Sequence, residues 1–168
     1  MKLRKKIIRK NYDRTQPKHN WLKYWRVVRY WVREVYGLHY PDLEMLLFLY
    51  SEDLFSRADF EKYEMIMSWD VMRFQKLLKD GWVRKWREST NKQCALYTLS
   101  FKGKSLMAQV YKKLSLEKGF SEDPRYNKFF RNDAPPRSKV YRSMMEEMNR
   151  AVDAARIKDD RNKKPPTE

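Results

Sequence analysis

The chain has 168 residues, with 38 Lys+Arg against 22 Asp+Glu, a formal net charge of +16 and a pI near 9.9. Apolar residues make up 42% and aromatics 15%, which excludes a fully disordered polyelectrolyte, while one Cys and two His exclude a disulfide scaffold and a cysteine-based metal site and leave little for histidine catalysis. No apolar run approaches the ~20 residues a membrane span needs, and the basic start MKLRKKIIRK has no apolar stretch that would make it a secretory signal.

What remains is a strongly basic globular protein, expected to be cytoplasmic and nucleoid-associated, with a polyanion as partner and no membrane. The charge is uneven. Residues 1–20 hold eight Lys/Arg and one Asp, and residues 68–110 hold nine Lys/Arg against three Asp/Glu. Residues 51–67 are acidic, with two Lys/Arg against five Asp/Glu.

Residues 1–19 read as a flexible basic arm. Asn20 is a helix cap, and Trp21, Tyr24, Trp25, Val28, Trp31, Val32 and Val35 follow helical spacing to about Tyr36. Leu22, Val27, Tyr30 and Tyr36 lie off that stripe, so this helix has more apolar surface than one face needs. Gly37 ends it. Pro41 opens a second helix, in which Leu43 to Tyr50 is expected to be buried.

Ser56 is the expected cap of a short helix over 57–67, and Ser68 that of another over 69–80. In the latter Val71, Phe74, Leu77 and Leu78 share one face, leaving Trp69, Asp70, Met72, Arg73, Gln75, Lys76 and Lys79 on the other. Two short helices so joined describe a helix-turn-helix. Gly81 stops the second, and a hairpin follows: Trp82–Glu88, a turn at Ser89–Lys92, and Cys94–Leu99. Ser100 caps a helix to about Lys118, with Leu106, Met107, Val110, Tyr111 and Leu114 as its stripe. Residues 119–137, with three prolines, read as an irregular loop. Ser138 caps a last helix to about Ile157, striped by Tyr141, Met144, Met145, Met148, Val152 and Ala155, and residues 158–168 read as a frayed charged tail.

A helix-turn-helix followed by a β-hairpin is a winged helix. The expected fold is mainly α with a small β-hairpin wing, a winged helix-turn-helix over 20–118 flanked by N- and C-terminal dimerisation helices. The run Leu77-Leu78-Lys79-Asp80-Gly81-Trp82-Val83-Arg84-Lys85 resembles the entry into the first wing strand in the multiple-antibiotic-resistance regulator (MarR) family of winged-helix DNA-binding regulators. Leu99-Ser100-Phe101-Lys102-Gly103 resembles that family's entry into the helix after the wing, and the resemblance covers roughly 20–157. Where the family carries an Asp-x-Arg pair in the wing, this chain has Asn91 and Gln93, so the ion pair is absent.

The resemblance implies a homodimeric, sequence-specific regulator of transcription that binds double-stranded DNA. Arg73, Gln75, Lys76 and Lys79 are the candidates for base and phosphate contact, because Arg and Lys bond guanine and Gln bonds adenine. Arg84, Lys85, Arg87 and Lys92 are candidates for phosphate contact. The plain structural alternative for both sets is a solvated charged face. Trp21, Trp25, Val28, Trp31, Tyr141, Met144, Met145 and Met148 are expected at the dimer interface, with core packing as their alternative; a small-molecule pocket along the aromatic helix is a third option. Gly103-Lys104-Ser105 is not a phosphate loop, because the glycine that motif needs is Thr98. Cys94 is expected to be a small packed strand residue. With no nucleophile, metal set or cofactor loop in view, neither an enzyme nor a cofactor is expected. The rival function is a structural or protein-binding winged-helix subunit of a larger assembly, a virion or a polymerase complex, with nonspecific nucleic-acid contact.

Overall fold

The computed structural model describes residues 19–163, with side chains to Ile157. The expected basic arm, up to residue 18, and the end of the tail, from residue 164, lie outside the described residues. Asn20 accepts a hydrogen bond from the Lys23 amide at 3.2 Å and opens α1, Trp21–Tyr36. Gly37 closes it in the left-handed region at φ 69°, donating its amide to the Arg33 carbonyl at 3.0 Å. Pro41 lies in the first turn of α2, Tyr40–Tyr50, whose Leu43, Met45, Leu46 and Leu49 are fully buried. The chain then makes a two-residue strand, β1 (Phe55–Ser56), before α3, Arg57–Glu64. Ser56 and Asp59 form a reciprocal capping box at the start of α3, and the bond from Ser56 lowers the Asp59 pKa.

The next helix, α4, departs from expectation. It runs Val71–Lys79 and its cap is Asp70, which accepts from the Arg73 amide at 2.7 Å; Ser68 does not cap it. The carboxylate at 70 is a charge-assisted acceptor at the positive end of the helix, and it shortens α4 by two residues. Trp69, expected on the outer face, is thereby freed from the helix and becomes core. Its ring lies 5.5 Å from Phe60, 5.5 Å from Phe48 and 5.7 Å from Tyr63. Likewise α3 stops at Glu64, leaving Met65 and Ile66 in the turn and exposed. Gly81, at φ 73°, ends α4 in a Schellman motif: its amide bonds the Leu78 carbonyl at 3.1 Å and the Trp82 amide bonds that of Leu77 at 2.9 Å.

Strands β2 (Val83–Arg87) and β3 (Leu96–Leu99) form the expected hairpin, with a register shift between Lys85 and Arg87. The addition is β1, which pairs antiparallel with the other edge of β3, giving a three-stranded sheet in the order β1-β3-β2. Phe55, Tyr97 and Lys85 are cross-strand neighbours and so share one face. On that face Phe74 of α4 meets Tyr97 at 5.1 Å and Phe60 of α3 at 4.9 Å. This aromatic cluster joins α3, α4 and the sheet.

Helix α5, Phe101–Leu114, starts where expected, Ser100 accepting from the Gly103 amide at 3.1 Å. Gly103 has a packing reason, since a Cβ there would stand 2.7 Å from the Trp82 carbonyl oxygen. The helix ends four residues earlier than expected, at Leu114. Tyr111 of its stripe is exposed and lies 5.6 Å from Tyr50.

The irregular segment that follows is packed against α5 and against α6, Pro136–Lys163, and contains a short 3-10 turn at Lys128–Phe130. Phe120, Asn127 and Phe129 are buried. The Asn149 side chain clasps the Phe120 backbone, accepting from its amide at 2.7 Å and donating to its carbonyl at 2.9 Å. Lys113 is 4% exposed; it donates to the Gly119 carbonyl at 2.7 Å and its Nζ lies 4.1 Å from the Phe120 ring centre. Ser138 is not the cap of α6: Pro136, suited to a first helical position, begins the helix and Ser138 is buried within it. The backbone stays helical past the expected end at about Ile157, to Lys163, where fraying was expected from 158, while Ala155 of the expected stripe is exposed.

The layout is thus mainly helical with a small antiparallel sheet. Among the described residues no helix is long and apolar enough to cross a membrane. Helix α1 packs on α2, α5 and α6, with Tyr30 stacked on Tyr141 at 3.8 Å. Val28, Trp31, Met145 and Met148, expected to face a second copy, are therefore core residues of one chain.

Lys113 yields a pH test. Burial pushes its pKa down from 10.5 to about 8, with Lys118 nearby adding to the shift. Between those values the unfolded chain holds a proton that the fold has released, so folding stability rises with pH across the window. Urea unfolding at pH 7.5 and 9.5 is expected to show wild type gaining on Lys113→Met at the higher pH; parallel pH profiles would rule this out.

Candidate nucleic-acid interface

Phe74 and Leu77 turn one side of α4 into the core. The helical period then places Met72 and Lys79 opposite, Arg73 and Lys76 on one flank, and Gln75 on the other. These three directions meet different surroundings.

On the first flank stands Asp42, in the first turn of α2 and 2% exposed. Its carboxylate accepts from an Arg73 guanidinium nitrogen at 3.1 Å and has Lys76 Nζ at 4.0 Å. Arg73 Nε is also 3.4 Å from Asp70. Two of the four α4 candidates therefore point toward an internal acid. Arg73 neutralises a buried charge and ties α4 to α2, which sets it apart from the free base-reading side chain that the sequence suggests.

On the second flank a groove of about 210 Å³ runs between α3, α4 and the sheet, lined among others by Arg57, Val71, Gln75, Lys85 and Tyr97. Gln75 and Lys85, both expected, come together here. Arg57 joins them and was missed, because only the β1 pairing brings the start of α3 beside the sheet. Arg57 is paired with Glu61 at 3.0 Å, and Lys85 with Glu88 at 2.9 Å. The Glu88 bond raises the Lys85 pKa above its ordinary value. Both pairs are exposed, so a phosphate can replace the carboxylate at little cost.

The hairpin residues divide. Arg84 alternates to the face opposite Lys85, Trp86 stands at the register shift, and both are exposed. Arg87 is half-buried; it donates to the Cys94 carbonyl at 3.3 Å, and its Nε is buried with no partner among the described residues. It braces the hairpin and is turned away from the groove. Thr90 and Gln93 close the tip with main-chain bonds of 2.9 and 3.2 Å, presenting Lys92 to solvent. Cys94 is exposed and lies outside β3, which corrects its expected packing in the strand.

Met72 lies on the outer face where the helical spacing puts it, whereas the exposure of Met65 and Ile66 was missed. Met65, Ile66 and Met72 are 89%, 69% and 74% exposed, at the turn and on the outer face of α4. A second, wider groove of about 490 Å³ runs along the start of α1, lined by Leu22, Trp25, Arg26, Arg29 and Met144 among others. Trp21 beside it is half exposed, and Lys23 on its wall is ion-paired with Glu147. Among the described residues no cluster of His, Cys, Asp and Glu could hold a metal ion.

Comparison with protein-family models, with curated proteins and with solved structures found no match.

The Asp42–Arg73 pair predicts a stability effect. Arg73→Ala leaves a buried carboxylate with only a distant lysine and is expected to cost about 2 kcal/mol, less than a fully buried pair because Arg73 is partly solvated. In a double-mutant cycle with Asp42→Asn, the double variant is expected to lose less than the two singles combined. Additive losses in chemical denaturation would contradict the pairing.

Proposed function

We propose that the chain is a winged-helix protein that binds double-stranded DNA, acting as a homodimeric transcriptional regulator of the MarR type. The observation that carries this reading is the element order. α2, β1, α3, α4, β2 and β3 follow one another with the sheet arranged β1-β3-β2, and among the described residues nothing covers the outer side of α4. In a winged helix that uncovered helix is the one that enters the major groove. Lys79, Lys85 and Arg57 stand beside it as phosphate ligands, with Lys92 at the hairpin tip reaching further along the backbone and Arg84 exposed on the opposite face of the sheet. A dimer would be built on Trp21, Leu22, Trp25, Tyr141 and Met144, since Val28, Trp31, Met145 and Met148 belong to the core of one chain. Two joined copies would present two reading helices and gain affinity without new contacts.

A second reading is favoured by a specific observation. Met65, Ile66 and Met72 together leave an apolar patch where a DNA-reading surface is ordinarily polar. In that reading the same surface holds a protein partner inside a larger assembly, and nucleic acid is bound without sequence preference.

Fluorescence anisotropy with a selected and a random duplex separates the two: preference for the selected duplex supports the regulator reading, and equal, purely salt-dependent binding of both supports the second. The regulator reading expects binding whose logarithmic salt slope falls in magnitude by about one for Lys79→Ala and for Lys85→Ala, with unchanged melting temperature. No duplex binding at 50 mM salt, set as the low-salt condition, would overturn it. Light scattering is expected to give a dimer that Trp25→Ala dissociates; a monomer at every concentration tested would remove the two-fold arrangement.

A further inference from the structure

We infer that the outer face of α4 reads an adjacent thymine and adenine, through Met72 and Gln75, and reads no guanine. This inference rests on the DNA-binding reading above and concerns which base pairs that surface selects.

Guanine in the major groove is recognised chiefly by a bidentate Arg or by a Lys that donates to O6 and N7. The α4 helix has one arginine, and it is held by Asp42 at 3.1 Å and by Asp70 at 3.4 Å. Lys76, with its side chain 54% exposed, leans the same way, 4.0 Å from Asp42, where the enclosed carboxylate draws its ammonium away from a base edge. To bond a guanine, Arg73 would have to abandon a carboxylate that is 2% exposed, leaving a buried charge nearly alone. Lys79 has no ion-pair partner among the described residues, but it lies at the C-terminal end of α4, whereas the N-terminal part of a reading helix is what meets base edges.

Two side chains in that N-terminal part remain available. Gln75 is exposed, and its amide can bond adenine N6 and N7 together. Met72 is 74% exposed, and its thioether is a soft apolar group that suits the thymine methyl. They stand three residues apart, so their Cβ atoms are about 5–6 Å from each other on one side of the helix. That separation lets them meet neighbouring base pairs. The exposed methionine, awkward on a free surface, has a ligand in this arrangement.

The test uses the full chain and a random duplex pool, selected at two salt concentrations. The expected result is an enriched core containing an adjacent T and A. On the enriched duplex, uracil in place of that thymine removes only the methyl group; it should weaken wild type about threefold and leave Met72→Ala unaffected. Replacing the adenine with 7-deazaadenine should weaken wild type about fivefold and leave Gln75→Ala unaffected. Arg73→Lys, which keeps a cation on Asp42, should leave the enriched core unchanged. If duplex is bound but the core is centred on guanine, or no core emerges, this inference is overturned while DNA binding stands. If no duplex is bound at either salt concentration, the DNA-binding reading falls and this inference with it.

Discussion

Asp42 organises the exposed face of α4. A carboxylate in the first turn of a helix is favoured by the helix dipole, but this one is also enclosed, and an enclosed charge requires a counter-charge. Arg73 supplies it from α4. With Phe74 and Leu77 turned into the core, the pair ties one flank of α4 to α2 and engages the guanidinium of Arg73, while Lys76 beside it keeps an exposed side chain. Met72 and Lys79 lie opposite the buried Phe74 and Leu77, and Gln75 lies on the flank away from Asp42. The character of the exposed surface thus depends in part on a contact beneath it.

Two aromatic clusters hold the elements that make this contact possible. Phe60, Trp69, Phe74, Phe55 and Tyr97 knit α3 and α4 to the sheet. On the other side Tyr30, Trp31, Phe120, Phe129 and Tyr141 knit α1 to α6 and to the segment between α5 and α6. That segment has little regular structure, yet it is anchored as firmly as a helix. Asn149 satisfies both backbone groups of Phe120, Arg142 donates to the carbonyls of Phe129 and Arg131, and Lys113 places its ammonium between a carbonyl and aromatic rings. Groups that hydrogen-bond backbone in this way let an irregular chain be buried.

The basic surface and the apolar patch beside it pull the functional reading in two directions. Long-range attraction to a polyanion needs only net charge, which this chain has in excess. Selectivity needs free, oriented groups, and these are few: one amide, one thioether and a lysine on α4, with Arg57 and Lys85 along one flank.

Much of the fold could be read from residue order. Asn20 and Gly37 bracket α1, Ser56 caps α3, Gly81 ends α4 and Ser100 opens α5, because caps and left-handed turns depend on neighbours within a few residues. The net charge and its concentration in 68–110 are likewise properties of the sequence itself. What tertiary structure alone decided depends on residues far apart in the chain. β1 is two residues long, too short for any pattern, and exists only because β3 offers it an edge. Trp69 left the polar face of its helix when Asp70 took over the cap and Phe60 offered a ring to stack on. Arg73 looked like a base-reading residue, and it became an internal counter-ion because Asp42, thirty-one positions earlier, was folded against it. Local signals determine where elements begin and end; which of their side chains stay free is determined by what the rest of the chain brings next to them.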